Sequence, residues 1–582
     1  MRVNRLRAIW FCAAMLLPCS AGLAQQSIPS PSQVAPPVIP PAPGGARITL
    51  PQVPAGAAVP AQAKKLSFWL LGFDVQGEFE ELAAERKEIA APLIGKRVTV
   101  ADVFEFADKL QQAYVRAGYP LARVVILPQE FERSARIKLR VIDGFVERME
   151  LESIAPTMRG RVAAVLAPLL RKTHLKQTEL ERRLLIAGEA PGLILNAVFA
   201  SGKEVGGTVL VLAGRYRPVS VSVYTDNAMP TSFGTGQVVT SASLNGLLGA
   251  GEQLTVSAAG LPDKDFNTRY PTRRYLSATA LIPLGIDGWK LEIGGTDGKT
   301  TPRVNLDARS QGLLSQGRAK LSYDVIKLRD LELTFNGRFD ATDEQVDTLL
   351  FTPQVPLHVD RLRVLRGGFD GVWRLRETGT TFNFGSNFSR GMKAFGARTA
   401  ADAAASDTPL SRADADAVFN KWDGRFEVNQ SLPYDFFTSF SAAGQTSFNH
   451  ALLTSEQLSI DGAKMLSGFT SGALPGDTSW VVRGEVGRPF AFPLGTGGIT
   501  LTPYIFAATG ERVIKNASAL EVKSIHATNM GSGLRFNLAP WAEFMPDGYG
   551  FIEWSRRRTT DSDPSGNNLN GDRIFTGLLL RY

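Results

Sequence analysis

Apolar residues recur along this chain with two different periods, and the change between them falls near Gly214. Ahead of it, strand-like and helix-like segments follow one another. Phe68–Val75 reads as a strand ending at Gly77, and Phe79–Ile94 as helix. Thr99 is placed to cap a second helix, with Asp102 standing in for the usual Glu of a capping box. In that helix Val103, Phe106, Ala107, Leu110 and Tyr114 fall at i, i+3, i+4 spacing and share one face. Gly118 and Pro120 stop it. Strands are predicted at Leu121–Leu127 and Arg136–Ile142. In the latter Ile137, Leu139 and Val141 alternate with Arg136, Lys138 and Arg140, so one face is buried and the other wet.

The order then repeats. Phe145–Leu151 reads as a strand, Arg159–Leu170 and Thr178–Ala187 as helices, Leu193–Ala200 and Thr208–Leu212 as strands. The break after the second helix recurs too, Ala117-Gly118-Tyr119-Pro120 against Ala187-Gly188-Glu189-Ala190-Pro191. Two β-α-α-β-β units of roughly 75 residues, over 66–143 and 144–214, make an internal repeat. Each is expected to leave a short edge strand open, suited to capturing an extended polypeptide by strand addition. In the first unit that edge comprises Leu121, Arg123, Val125 and Leu127, and proline at Val125 is expected to remove one of its donors. Two modules serving only as a stalk are the plainer alternative.

From 215 to 582 helical periodicity gives way to dyad alternation. Val219, Val221 and Val223 interleave with Ser220 and Ser222; Leu331, Leu333 and Phe335 interleave with Glu332, Thr334 and Asn336. Segments of about 10 such residues between Gly/Asn/Asp turns mark a transmembrane antiparallel β-barrel, closed because an open edge cannot survive in lipid. At roughly 22–24 residues per strand and connection, about 16 strands are expected. Trp289, Trp373, Trp422, Trp480, Trp541 and Trp554 are candidates for interfacial girdles. The chain ends on Tyr582, with Gly577 and Leu580 spaced as in the C-terminal signal taken by the barrel-assembly machinery; Phe575 stands where that signal prefers a polar residue.

Composition narrows the compartment. Met1–Ala24 has the form of a secretory signal peptide: Arg2, Arg5 and Arg7, an apolar run Ala8–Leu17, and small residues at Gly22 and Ala24. Both cysteines, Cys12 and Cys19, lie inside it, which removes disulfides, thiolate metal sites and Cys nucleophiles from the mature chain. A lipoprotein reading of Cys19 is disfavoured by Pro18. Residues 25–65 are Pro-rich, with ten of the chain's 34 prolines between Pro29 and Pro60. Such a segment reads as a semi-rigid linker that buries no core, either a plain tether or a pore-threading spacer. A net charge of +8, spread over the chain, is no nucleic-acid footprint. Four scattered His and the absence of Gly-x-Ser-x-Gly leave no metal, cofactor or catalytic candidate.

Several stretches resemble the outer-membrane transporters of two-partner secretion, the ShlB/FhaC/HecB haemolysin secretion/activation family within the BamA-like superfamily. Gly118-Tyr119-Pro120-Leu121-Ala122-Arg123, Leu127-Pro128-Gln129 and Leu139-Arg140-Val141-Ile142-Asp143-Gly144 look like its first POTRA domain. Asp226-Asn227, Thr235-Gly236 and Leu247-Leu248-Gly249-Ala250-Gly251-Glu252 look like the start of its barrel. Leu452–Gln457 is similar to the stretch before the family's long sixth loop, placed here around 455–480, and Gly476-Asp477 with Arg483-Gly484-Glu485 to the stretch after it. The resemblance implies an outer-membrane pore with periplasmic POTRA domains. Its partners would be outer-membrane lipid and an exoprotein with an N-terminal secretion domain, captured unfolded. Outer-membrane protein assembly or export of another polymer is the alternative; a passive porin would not need the modules.

One departure stands out. In the family the loop tip carries Val-Arg-Gly-Tyr/Phe, and its Arg pairs with an Asp of a wall motif Phe-x-Asp-x-Gly. The aligned tip here is Leu466-Ser467-Gly468-Phe469, and the wall reads Phe506-Ala507-Ala508-Thr509-Gly510. Ser467 and Ala508 replace both charges, which puts in doubt how the loop is held. A plug helix ahead of the linker is not evident either.

Overall fold

The computed structural model describes residues 29–37, 39, 45–49, 62–130, 133–303, 309–518, 521–540, 546–560 and 569–582. The leader at 1–24 and Trp541 lie outside the described residues. The first α/β unit holds strands β2 (Ser67–Gln76), β3 (Arg97–Thr99), β4 (Arg123–Ile126) and β5 (Ser134–Ile142) in sheet order β3-β2-β5-β4. Helices α1 (Ala83–Ala90) and α2 (Val100–Arg116) cover one face. Thr99 and Asp102 close the capping box at the start of α2, and the apolar face read from sequence is buried. Phe73 of β2 stacks on Phe106 with ring centroids 3.7 Å apart.

The second unit has β6 (Phe145–Ser153), α3 (Pro156–Leu166), α4 (Gln177–Gly188), β7 (Leu193–Ser201) and β8 (Gly207–Tyr216). The helix expected to run to Leu170 ends four residues earlier and tightens into a 3-10 turn at Ala167–Leu169. Pro168 has no N–H to continue the ladder. This sheet runs β1-β7-β8-β6, and β1 (Gly45–Ile48) comes from the Pro-rich segment.

That segment is therefore no plain tether. Ile48 lies in the second unit's core, and Pro29–Pro37 lies inside the barrel, with Val34 fully buried. Prolines bring few donors, so the segment needs mainly donors for its carbonyls, and the wall supplies them. Tyr275 Oη donates to Pro31 O at 2.6 Å and Arg273 Nε to Val34 O at 2.8 Å. The Ser32 N–H goes to the Glu344 carboxylate at 3.0 Å. Pro31–Val34 forms a turn rather than a helix.

The strands from Val219–Asp226 to Gly571–Arg581 form a closed antiparallel barrel of 16 strands among the described residues. One strand is interrupted. Thr478–Gly487 and Phe490–Leu494 both pair with Gly497–Val513, and Pro489 occupies the break. Strand length grows from 7 residues at Gln253–Ala259 to 21 at Val355–Leu375, well past the ~9–11 a bilayer needs. The excess rises at the end away from the α/β units. Val219, Val221 and Val223 face outward. Trp289 and Trp373 sit outward near the unit-facing rim, and Trp422, Trp480 and Trp554 nearer the far rim. The second unit docks on the turn at Gly285–Gly288: Arg183 donates to Ile286 O at 3.0 Å and pairs with Asp287 at 2.8 Å, while Arg182 donates to Asp287 O.

Candidate functional site

The long connection between strands Phe437–Thr446 and Thr478–Gly487 turns back into the lumen, where it meets the wall. Leu466 and Phe469 of its tip are buried with Ile460, Leu474, Val481, Ala508, Ile525 and Ala527. Between them the Ser467 hydroxyl donates to Glu553 Oε1 and accepts from Arg483 Nη1 at 2.9 Å and Asn529 Nδ2 at 3.1 Å. Arg483 also donates to Glu553 Oε2 at 2.6 Å and Glu485 Oε1 at 2.7 Å. Its guanidinium lies 3.7 Å from the Phe506 ring centroid. Tyr504 Oη completes the shell of Glu553 at 2.8 Å, and Arg535 holds the other oxygen of Glu485 at 2.6 Å. Side-chain exposure is 1% for Arg483 and 2% for Glu553, so the pair is a dry one.

The tip backbone is gripped as well. Arg483 Nη1 donates to Met465 O at 3.3 Å, Arg557 to Gly468 O at 2.9 Å, and Arg573 to Ser467 O at 3.1 Å and to Phe469 O. Gly468 lies so close to the wall that an added Cβ would meet Arg557 Cβ and Ser555 Oγ at 3.1 Å.

Ala508 faces the lumen. Its ladder neighbours are Arg483 on one side and Asn529 on the other, the two residues that donate to Ser467. Ser467 therefore sits across from Ala508. The missing charges do not leave the loop unheld. The polarity is reversed: a neutral hydroxyl and carbonyls on the tip meet arginines and a glutamate that all stand on the wall. Removing the tip Arg and the wall Asp together strands no charge.

A second anchor sits where the loop leaves. Asp477, fully buried, accepts from Arg412 at 2.8 and 3.0 Å, from Gln457, and from the backbone N–H groups of Leu452 and Lys515. Arg412 in turn donates to Glu521, Leu452 O and Lys515 O. Three far-end connections, 392–419, 447–477 and 514–523, are thus pinned at one ion pair.

The module edges differ from the sequence expectation in two respects. The strand read as Leu121–Leu127 is only β4, Arg123–Ile126, and Leu121 is buried in the second unit's core instead. Leu127 N donates to Lys138 O at 3.2 Å, and the register pairs Val125 with Arg140 and Arg123 with Ile142. Alternation of an antiparallel ladder then turns the backbone of Arg123, Val125 and Leu127 inward to β5. The edge-facing groups are those of Ala122, Val124 and Ile126, and buried Gln111 of α2 takes two of them. Its Nε2 donates to Ala122 O at 2.7 Å and its Oε1 accepts from Val124 N at 2.8 Å. Proline at Val125 would break the sheet itself rather than its free edge. Gln111→Leu is expected to destabilise the first unit by about 1–3 kcal/mol, the cost of orphaning such groups. Amide hydrogen exchange at Val124 checks this; unchanged protection would mean that Gln111 is not its cap.

In the second unit β7 occupies the place β4 has in the first, and its outer edge is not open. β1 lies along it in parallel, Gly45 beside Ile194 through Ile48 beside Ala197, and Thr49 N continues the ladder to Ala197 O at 3.1 Å. Gly188 makes room, since a Cβ there would stand 2.6 Å from Ala46 Cβ.

At the C-terminus Gly577 and Leu580 pair with the preceding strand, and Tyr582 exchanges backbone bonds with Val221 at 2.8 and 3.0 Å. A Cβ on Gly577 would meet the Phe551 ring at 2.5 Å, so only glycine fits. Phe575 faces the lumen, edge-on to Phe551 at 4.9 Å.

A model of the haemolysin secretion/activation proteins ShlB/FhaC/HecB matches residues 206–536, and one of ShlB-type POTRA domains matches 68–144. The heme/hemopexin transporter protein HuxB of Haemophilus influenzae (strain 86-028NP) is 22% identical over 477 residues, 79% of each chain. The hemolysin transporter protein HpmB of Proteus mirabilis is 23% identical over 435 residues, 72% of each. Among solved structures, CdiB from Escherichia coli shares the fold with a TM-score of 0.65 at 18% identity, covering 91% of this chain and 92% of its own. CdiB from Acinetobacter baumannii gives 0.57 at 12% identity, covering 92% and 95%.

Proposed function

The chain belongs to the ShlB/FhaC/HecB haemolysin secretion/activation family, and from that premise we propose that it passes one partner exoprotein outward through this barrel. It sits in the outer membrane with its POTRA units in the periplasm. Its relatives are transporters, and on this reading the chain carries no catalytic step. The cargo arrives unfolded and is taken up by strand addition. The barrel-assembly machinery takes the last strand through Gly577, Leu580 and Tyr582, and the outward apolar residues meet lipid.

The observation that carries the reading is one continuous segment with two tasks. Pro29–Pro37 lies in the lumen, with Val34 packed against the wall, and only a few residues later β1 fills the edge of β7. A cargo strand that takes β7 must displace β1, and a displaced β1 frees the segment that plugs the pore. Without cargo, edge and pore are therefore occupied together.

Both cysteines lie at or before Cys19, so a chain processed at the expected leader has none, which makes this testable. Arg47→Cys with Asn196→Cys places thiols on register partners of β1 and β7. Oxidation is expected to stop secretion of the partner exoprotein and reductant to restore it. Full secretion through a completely cross-linked protein would refute the edge reading. Failure of the wild type to export any partner encoded beside it would refute the function itself.

A further inference from the structure

The barrel closes on a short seam. The first strand, Val219–Asp226, meets the last, Gly571–Arg581, from Asp226 beside Gly577 to Ser222 beside Arg581, then through Val221 and Tyr582 at one end and a single Asn227 N–H to Thr576 O bond at 3.3 Å at the other. On its other side the last strand pairs along its whole length with Asp547–Thr559. Gly571–Phe575 therefore rises beyond the end of the first strand, and what holds it there is not a ladder.

Two residues bridge that stretch. The Asn227 side chain donates to Ile574 O at 2.9 Å and accepts from Thr576 N at 2.9 Å. Arg573 points into the lumen and donates in three directions: to Asn227 O at 2.6 Å, to Ser467 O at 3.1 Å, and to Phe469 O. One guanidinium thus joins the last strand, the end of the first strand and the tip of the lumenal loop. Ser471 N adds a bond to Ala228 O at 2.9 Å, so the loop also touches the chain just past the first strand directly. Behind them Val34 of the plug packs with Ala228, Met229, Phe233, Phe551 and Phe575.

We propose that Arg573 is a positioning residue that makes closure of the upper seam depend on a seated loop tip. Two of its three acceptors belong to the tip. With the tip seated, the planar fork is held across the gap and pulls the end of the first strand toward the last. When the tip withdraws, those acceptors leave, the guanidinium turns to water, and Asn227 alone spans the upper seam. The barrel then yields at this line as the pore clears. The proposal rests on the secretion reading for transport itself and adds to it that the tip withdraws as the pore clears.

Its test needs no exoprotein, so it fails or succeeds separately from secretion. Amide hydrogen exchange of the full chain in lipid nanodiscs reads the two ladders of the last strand independently. Arg573→Gln is expected to accelerate exchange of the amides that face the seam, Val223, Thr225, Leu578 and Leu580, while Gly577 and Leu579, which face the preceding strand, stay protected. Arg573→Lys keeps the charge but not the fork, and should restore protection only in part. Gly468→Leu, which crowds Arg557 and Ser555 and unseats the tip, should loosen the same seam amides. Adding Arg573→Gln to it should then change nothing further. Seam exchange unaltered in Arg573→Gln would overturn the proposal, as would equal acceleration on both sides of the last strand or additive effects of the two substitutions. Should Arg573→Gln fail to assemble, the Arg573→Lys and Gly468→Leu proteins carry the same comparison.

Discussion

Arg483→Met is expected to unseat the lumenal loop and to cost the folded barrel about 3–5 kcal/mol, the range for removing one partner of a buried ion pair. The cost falls on Glu553. Without Arg483 its carboxylate keeps the hydroxyls of Ser467 and Tyr504 but no cation in direct contact, in a site with almost no access to water. Glu553→Gln should cost less, because Arg483 retains Glu485 at 2.7 Å and the Phe506 ring. Such asymmetry is a property of the wiring. The Arg483 guanidinium has two carboxylate partners, whereas Glu553 has one cationic partner, Arg483. The double substitution Arg483→Met with Glu553→Gln should recover much of the larger loss, since no charge is then stranded. Heat-modifiability on gels and urea unfolding in detergent, taken as a double-mutant cycle, read the coupling. Equal costs for the two single changes would show that Glu485 does not share Arg483.

Why the lock was not legible in the sequence follows from its geometry. Dyad alternation was readable, and it already turned Val481, Arg483 and Glu485 to one side and Trp480 to the other. A run that puts Arg and Glu on the lumen face was therefore a signal. Its partner was not readable, because Glu553 lies on another strand, and only ring closure and the stagger of intervening ladders bring the two together. Family resemblance pointed to Ser467 and Ala508 as the places where charge should be, and so to a doubt about the loop. The structure places both at the contact and supplies the charge from neighbours on the wall.

The helices of the first unit were legible for the opposite reason. Thr99, Asp102 and the apolar stripe of α2 act within a few residues, where sequence spacing is distance. The Pro-rich segment was legible only by what it lacked. Gly45–Ile48 is too short for a period to emerge, and its strand exists because β7 offers an edge and Gly188 leaves space beside Ala46. The capping of β4 by Gln111 is hidden likewise. A buried Gln on an apolar helix face announces that some backbone needs it, without saying which.

The reversed polarity changes what reinstating the family's charges should do. Ser467→Arg is expected to be severely damaging, because the tip would bring a new cation among Arg483, Arg557 and Arg573, and would lose the hydroxyl that Arg483, Asn529 and Glu553 share. Ala508→Asp on its own should be far milder than an orphan carboxylate. Its ladder neighbour is Arg483, so the new charge arrives beside a guanidinium. The main cost is then steric and apolar, since Ala508 packs against the cluster of Leu466 and Phe469. Combined, the two substitutions offer the new Arg a carboxylate with bidentate geometry. Part of the Ser467→Arg loss should return, with a coupling of roughly 1–2 kcal/mol, because Arg483 competes for the same carboxylate. Secretion yield and heat-modifiability measured on all four proteins decide it. Additive effects would show that the tip and Ala508 do not meet, and an Ala508→Asp protein as impaired as Ser467→Arg would show that Arg483 does not reach that side of the wall.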